Sequence, residues 1–333
     1  MVGGGNKILV RGLDSEVLQA LLVMANASDR SLEAEARSAI RSWVQPLLIS
    51  QERSERRAQL SQRLTMALAE VNEVGRLRWR PSHVAQGIGA ACAEPTEEWF
   101  LGRAEPTFAQ LEKVADLLGV NRAWLQHGDG HPFPVGDVRL SEDPSQAVRW
   151  LLNFADGPEA PLGPYQPVPA FPEMKRLVFV RSAGKTGALA IVKQRDDYRC
   201  MTYMTPTHVS DEIGAGGEAQ LMALSVTLEL LYKLYSKAGT PPVTSWIVQE
   251  KDFSRLIAGQ VHPLSLDNGS VTQLWWEDFW DDSMKGRNTY WSGWGEITAR
   301  IGKAISLTEP LFKQRALIRS GEHPGLTTLR TRT

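Results

Sequence analysis

Cysteine is almost absent: Cys92 and Cys200 are the only two in 333 residues. They lie far apart with no second thiol near either, which excludes a disulfide framework and a cysteine zinc site and suits a reducing cytoplasm. Excess charge of one sign is lacking too. Thirty-seven Lys and Arg face 38 Asp and Glu, for a net charge of -1, so the chain cannot coat nucleic acid by charge alone and any such contact must be local. No apolar run is long enough to span a bilayer, and the opening Met1-Val-Gly-Gly-Gly has neither the charged nor the apolar block of a secretion signal. The expectation is a cytoplasmic protein with no membrane partner.

Catalytic patterns are equally scarce. The six histidines, at 83, 127, 131, 208, 262 and 323, show no metal-binding spacing, and Gly128 and Gly130 break any helix that would align His127 with His131. Gly184-Lys185-Thr186 lacks the glycine five residues earlier that a phosphate loop requires, since position 179 is Phe. No Gly-x-Ser-x-Gly elbow occurs. Neither an enzyme nor a cofactor is expected.

What is present divides the chain into several modules, as its length allows. Lys7 to Leu13 reads as a short strand with Ile8 and Val10 on one face and Lys7, Leu9 and Arg11 on the other. Asp14 is placed to cap a helix bearing Val17, Leu18, Leu21, Leu22 and Ala25, and Ser31 a second one bearing Leu32, Ala36, Ala39, Ile40 and Trp43. One strand and two helices cannot close a core alone, because the strand edge and both apolar stripes stay uncovered. A second chain can supply the missing strand.

Val10-Arg-Gly-Leu-Asp14 and Arg30-Ser-Leu-Glu-Ala-Glu35, with the spacing between them, resemble the ribbon-helix-helix family of repressors and antitoxins over roughly residues 6 to 46. The resemblance implies an intertwined homodimer whose paired strands fill the major groove of double-stranded DNA. Lys7, Leu9 and Arg11 would then face the bases, and Arg30 and Ser31, at a helix start, would hold the backbone. Residues 1–48 are expected to form this module.

Residues 50–60 are charged, with Arg53, Arg56 and Arg57 among glutamates, and read as a connector or the start of a long helix. A five-helix order follows over 55–133. Ser82-His-Val-Ala85, Gly102-Arg-Ala-Glu-Pro-Thr107 and Leu117-Leu-Gly-Val-Asn121 resemble the phage-repressor (Cro-like) helix-turn-helix fold. That resemblance makes Ser82, His83, Thr96 and Arg103 the candidate DNA contacts of this all-α module. Its third helix, however, carries Glu94, Glu97 and Glu98, which repel phosphates, so packing, dimerisation or partner binding is an equal reading.

Six prolines between Pro158 and Pro172 mark a linker, taken as 134–173. Alternating strands over 176–182, 188–194 and 198–204, a long apolar helix over about 218–237 and a further strand at 243–248 predict an α+β domain over 174–310. It is read as regulatory or assembly-forming, with a protein partner or a small-molecule effector. Gly214-Ala-Gly-Gly217 suits either an anion or plain punctuation. Trp275, Trp276, Trp280, Trp291 and Trp294 suit either a ligand pocket or a filled core. Residues 311–333, with Lys313, Arg315, Arg319, Arg330 and Arg332, read as a basic, solvated tail.

Overall fold

A computed structural model describes residues 10–152, 174–235, 240–268, 271–284 and 286–328. The chain divides into two compact units, the first ending at Gln59 and the second beginning at Leu60.

The first unit is helical. Helix α1 covers Ser15–Ala27 and helix α2 covers Leu32–Val74. Asp29, at φ 52°, makes the break between them, and the Arg30 amide returns to the Ala25 carbonyl at 2.9 Å. The Ser31 hydroxyl accepts the Ala34 amide (3.2 Å), with Glu33 and Glu35 in the same first turn, so the start of α2 is capped and its dipole opposed by local groups. Lys7 to Leu9 of the expected strand lie outside the described residues, and Val10 to Leu13 are exposed and irregular.

Helix α2 is longer than either helix expected in its place. Its 43 residues include 50–60, where the long-helix reading of that charged stretch is the one that holds. Glu, Arg, Ala and Gln dominate this stretch, all good helix formers, and Gln59 reaches Glu55 one turn back. Pro46 sits inside the helix.

The second unit opens with the last turns of α2, followed by α3 (Pro81–Gly87), α4 (Glu94–Phe100), α5 (Phe108–Leu118) and α6 (Arg122–His127). Their starts and stops follow from local chemistry. Thr107 and Gln110 form a capping box on α5, Gly119 ends it at φ 69°, and the Asn121 side chain caps α6. Leu64, Val71, Val84, Trp99, Leu111, Val114, Leu118 and Leu125 close a shared core.

Beyond them lies a six-stranded mixed sheet. Its strands are β1 (Val135–Asp137), β2 (Arg176–Ser182), β3 (Ala188–Gln194), β4 (Cys200–His208), β5 (Val243–Val248) and β6 (Val271–Gln273), in the order β1-β4-β3-β2-β5-β6. The expected meander is β2-β3-β4; β5 lies parallel to β2, and β1 parallel to β4. Helices α7 (Pro144–Leu152) and α8 (Ala215–Tyr235) cover one face, on Leu177, Phe179, Leu189, Ile191 and Tyr203. The other face, with Val178, Val180, Ala190, Val192 and Trp246, is covered by α9 (Glu250–Ile257) through Phe253 and Leu256.

Two expected boundaries change. Residues 134–152 are not linker, since β1 extends the sheet and α7 packs on α8. The basic tail from 311 is not solvated over its first part. After α10 (Trp275–Asp278) and α11 (Trp294–Leu307) come α12 (Glu309–Ser320) and α13 (Pro324–Thr328). Arg315 and Arg319 donate to the two oxygens of Glu229, at 2.6 and 2.7 Å, and Glu229 is fully buried within α8. Arg330 and Arg332 lie outside the described residues. Trp275, Trp276 and Trp294 are at most 2% exposed and fill the core.

The β3–β4 hairpin ties helices and sheet together. Tyr198 at its tip donates its hydroxyl to the Leu117 carbonyl (2.9 Å) and sets its ring edge-on against Trp79 (5.7 Å). The Tyr198 carbonyl accepts Nε2–H of buried His262 (2.8 Å), whose Nδ1 is committed to the Leu264 amide. The helical module and the sheet domain are therefore one packed body, where the sequence suggested two.

Candidate nucleic-acid interface

Arg11 stands on the exposed stretch before α1, with no ion-pair or hydrogen-bond partner among the described residues. The nearby Asp14 carboxylate does not engage it. Arg30 is different. Its guanidinium lies 3.5 Å from Glu35 and 3.2 Å from the Ser38 hydroxyl, half-exposed and folded along α2. Ser31 spends its oxygen on its own helix. Lys7 and Leu9 fall outside the described residues.

Around these groups the first unit leaves large apolar side chains in water. Val17, Leu18, Val23, Met24, Ile40 and Trp43 are all exposed, Trp43 at 80%. Of the stripes expected to need a second chain, Val17, Leu18, Ala39, Ile40 and Trp43 are exposed, Leu21, Leu22, Leu32 and Ala36 are half-buried, and Ala25 is buried. An apolar surface of this kind marks an interaction face.

The second module's candidates differ in exposure. Thr96 is fully buried, because α4 turns it toward the core along with Trp99, and it presents nothing to a duplex. Arg103 is exposed but paired with Glu98 at 3.3 Å. His83 accepts the Arg80 amide on Nδ1 (2.9 Å) and so caps α3, with half-buried Ser82 beside it. Glu94 and Glu97 occupy the outer side of α4.

Sequence reasoning passed over the connection between α2 and α3. Arg76, Arg78 and Arg80 alternate there, all exposed, and none has an ion-pair partner among the described residues. The alternation itself was the available signal.

The first unit thus presents two helices behind a short N-terminal segment, with Val17, Leu18, Ile40 and Trp43 exposed on them. The family model described as "Antitoxin FitA-like, ribbon-helix-helix" matches residues 7–44, so a ribbon-helix-helix domain stands at the N-terminus. No curated protein and no solved structure is significantly similar to the chain. Among the described residues no helix is long and apolar enough to cross a membrane, and no group of three or more His, Cys, Asp or Glu is placed to hold a metal ion.

Proposed function

We propose that this protein is a homodimeric, sequence-specific DNA-binding transcriptional regulator of the repressor type. Strands from two copies pair into a ribbon that enters the major groove, with Lys7, Leu9 and Arg11 toward the bases and Arg30 and Ser31 at the backbone. The observation that carries this reading is a coincidence of position. The family match at 7–44 falls on the segment whose apolar side chains are exposed in a single chain. The end of α2 and helices α3 to α6 carry the sequence resemblance to a Cro-like module, but the acidic α4 and buried Thr96 suit packing or assembly better than base reading. The sheet domain is regulatory or assembly-forming without turnover; a specific hydrolytic or transfer activity lost on one substitution within 174–310 would overturn that.

Nuclease footprinting on the DNA upstream of its own gene tests the main reading. A short, symmetric protected site is expected, and absence of specific protection there and in a random-sequence selection would sink it. Arg11→Ala should cost about 1 to 3 kcal/mol per contact and relax preference at one base pair in each half-site. Unchanged discrimination with the dimer intact would mean that the strand is not the reading element.

A second reading is favoured by the description of the matched family, which is an antitoxin family. Here the C-terminal region neutralises a partner protein, and DNA binding serves only autoregulation. Affinity purification from the native host separates the two: a stoichiometric partner released by deleting the sheet domain supports the antitoxin, and purification as a homodimer alone supports the regulator.

A further inference from the structure

The connection spanning residues 75–80 is built to hold charge outward. Gly75 turns the chain so tightly that a Cβ there would sit 2.6 Å from the Val71 carbonyl oxygen. Asn72 then clamps Trp79 from both sides, accepting its amide at 2.6 Å and donating to its carbonyl at 2.9 Å. The Trp79 ring lies edge-on to Tyr198 and His83, and the His83 imidazole fixes the backbone of Arg80. With Trp79 anchored inward and Arg80 extended (φ −124°, ψ 164°), Arg78 and Arg80 on either side of it are directed to solvent, and Arg76 is exposed as well.

Two carboxylates lie near this turn, Glu73 and Asp197. Glu73 stands one turn back on α2. Asp197 lies near enough to Arg76 to feel its charge, but Lys175 already holds that carboxylate, and the two together keep it below its usual range. Three guanidiniums within five residues form a local positive patch on a chain of net charge -1. They project from a braced backbone, which lowers the entropy lost when they engage an anion. The opposite chemistry occupies α4, where Glu94 and Glu97 are exposed.

We propose that the Arg76–Arg80 turn grips the phosphate backbone of a DNA duplex, so that the helical module meets DNA through this turn and not through α4. The proposal rests on the chain being a DNA binder, but not on the ribbon being its reading head. Phosphate contacts add affinity and salt dependence without sequence information.

The test uses the full-length protein with cognate and random duplexes over a salt series. Changing Arg76, Arg78 and Arg80 together to Gln should weaken both duplexes by at least about tenfold. It should also flatten the slope of log affinity against log salt by about two to three units, leaving the ratio between duplexes unchanged. The same three positions changed to Lys should restore the slope. A charge-matched control, with exposed Arg122, Arg139 and Lys313 changed to Gln, should do neither. An unchanged slope in the Gln variant, or an equal loss in the control, overturns the proposal. Failure of the ribbon reading looks different: Arg11→Ala would keep full discrimination while the turn variant still lost affinity. If the unaltered protein binds neither duplex, both readings fall.

Discussion

Glu229 shows what a single side chain costs to place. Its carboxylate is fully buried and accepts from Arg315, itself 7% exposed, and from the half-exposed Arg319. Removing one partner of a buried pair strands the other charge, so Glu229→Ala should destabilise the fold by about 3 to 5 kcal/mol in chemical denaturation. Asp282, 3.7 Å from Arg315, draws the loss toward the lower end. His262 gives a pH-dependent counterpart. Burial pushes its imidazole down to about 4, below the unfolded value near 6.5. The unfolded chain therefore binds the extra proton first as pH falls. The contribution is fully present above pH 6.5, declines through the window between, and is lost by about pH 4, for a total of roughly 3 kcal/mol. His262→Gln should flatten most of that dependence in unfolding midpoints taken across the window. His323, also lowered by burial, keeps a remainder. Neither site was legible in the sequence. Arg315 reads there as one more charge near a terminus, because nothing local announces a carboxylate buried 86 positions upstream.

Among the elements, legibility follows the range of the forces that set each boundary. The ends of α5 and α6 are visible in the sequence because Thr107, Gln110, Gly119 and Asn121 act on backbone within a few residues. Strand β1 is not visible: it is three residues long and exists only through pairing with β4, more than sixty positions later. The family resemblance at the N-terminus was legible over nearly the span that the family model matches, while Lys7 and Leu9, which the proposal turns toward the bases, lie outside the described structure. For helix α2 the charged stretch at 50–60 left a connector and a long helix both open, and the long helix is what forms. Pro46 removes one backbone hydrogen bond from the helix interior. Pro46→Ala should therefore stabilise α2 by up to about 3 kcal/mol, seen as slower amide exchange over residues 42–50. Exchange no slower than in the unaltered protein would mean that the proline is already accommodated without loss.

For the whole molecule, the proposed function requires two chains. Sedimentation should give a dimer at micromolar concentration. Trp43→Glu, at the most exposed large apolar side chain among the described residues of the first unit, should shift the mass toward monomer, whereas the turn variants of residues 76–80 should leave it unchanged. A stable monomer with α1 and α2 folded would remove the ribbon.

The Tyr198 hairpin also bears on how such a protein is assembled from parts. Repeated recombination of binding heads with different effector bodies needs a seam at which a head can be cut free and still hold its shape. No such seam exists at residue 133, because Tyr198 completes the core of the helices and Phe133 donates its amide to Gly259. A fragment of residues 55–133 should expose the seat of Tyr198 and aggregate, and grafting those helices onto a foreign body should fail unless the hairpin travels with them.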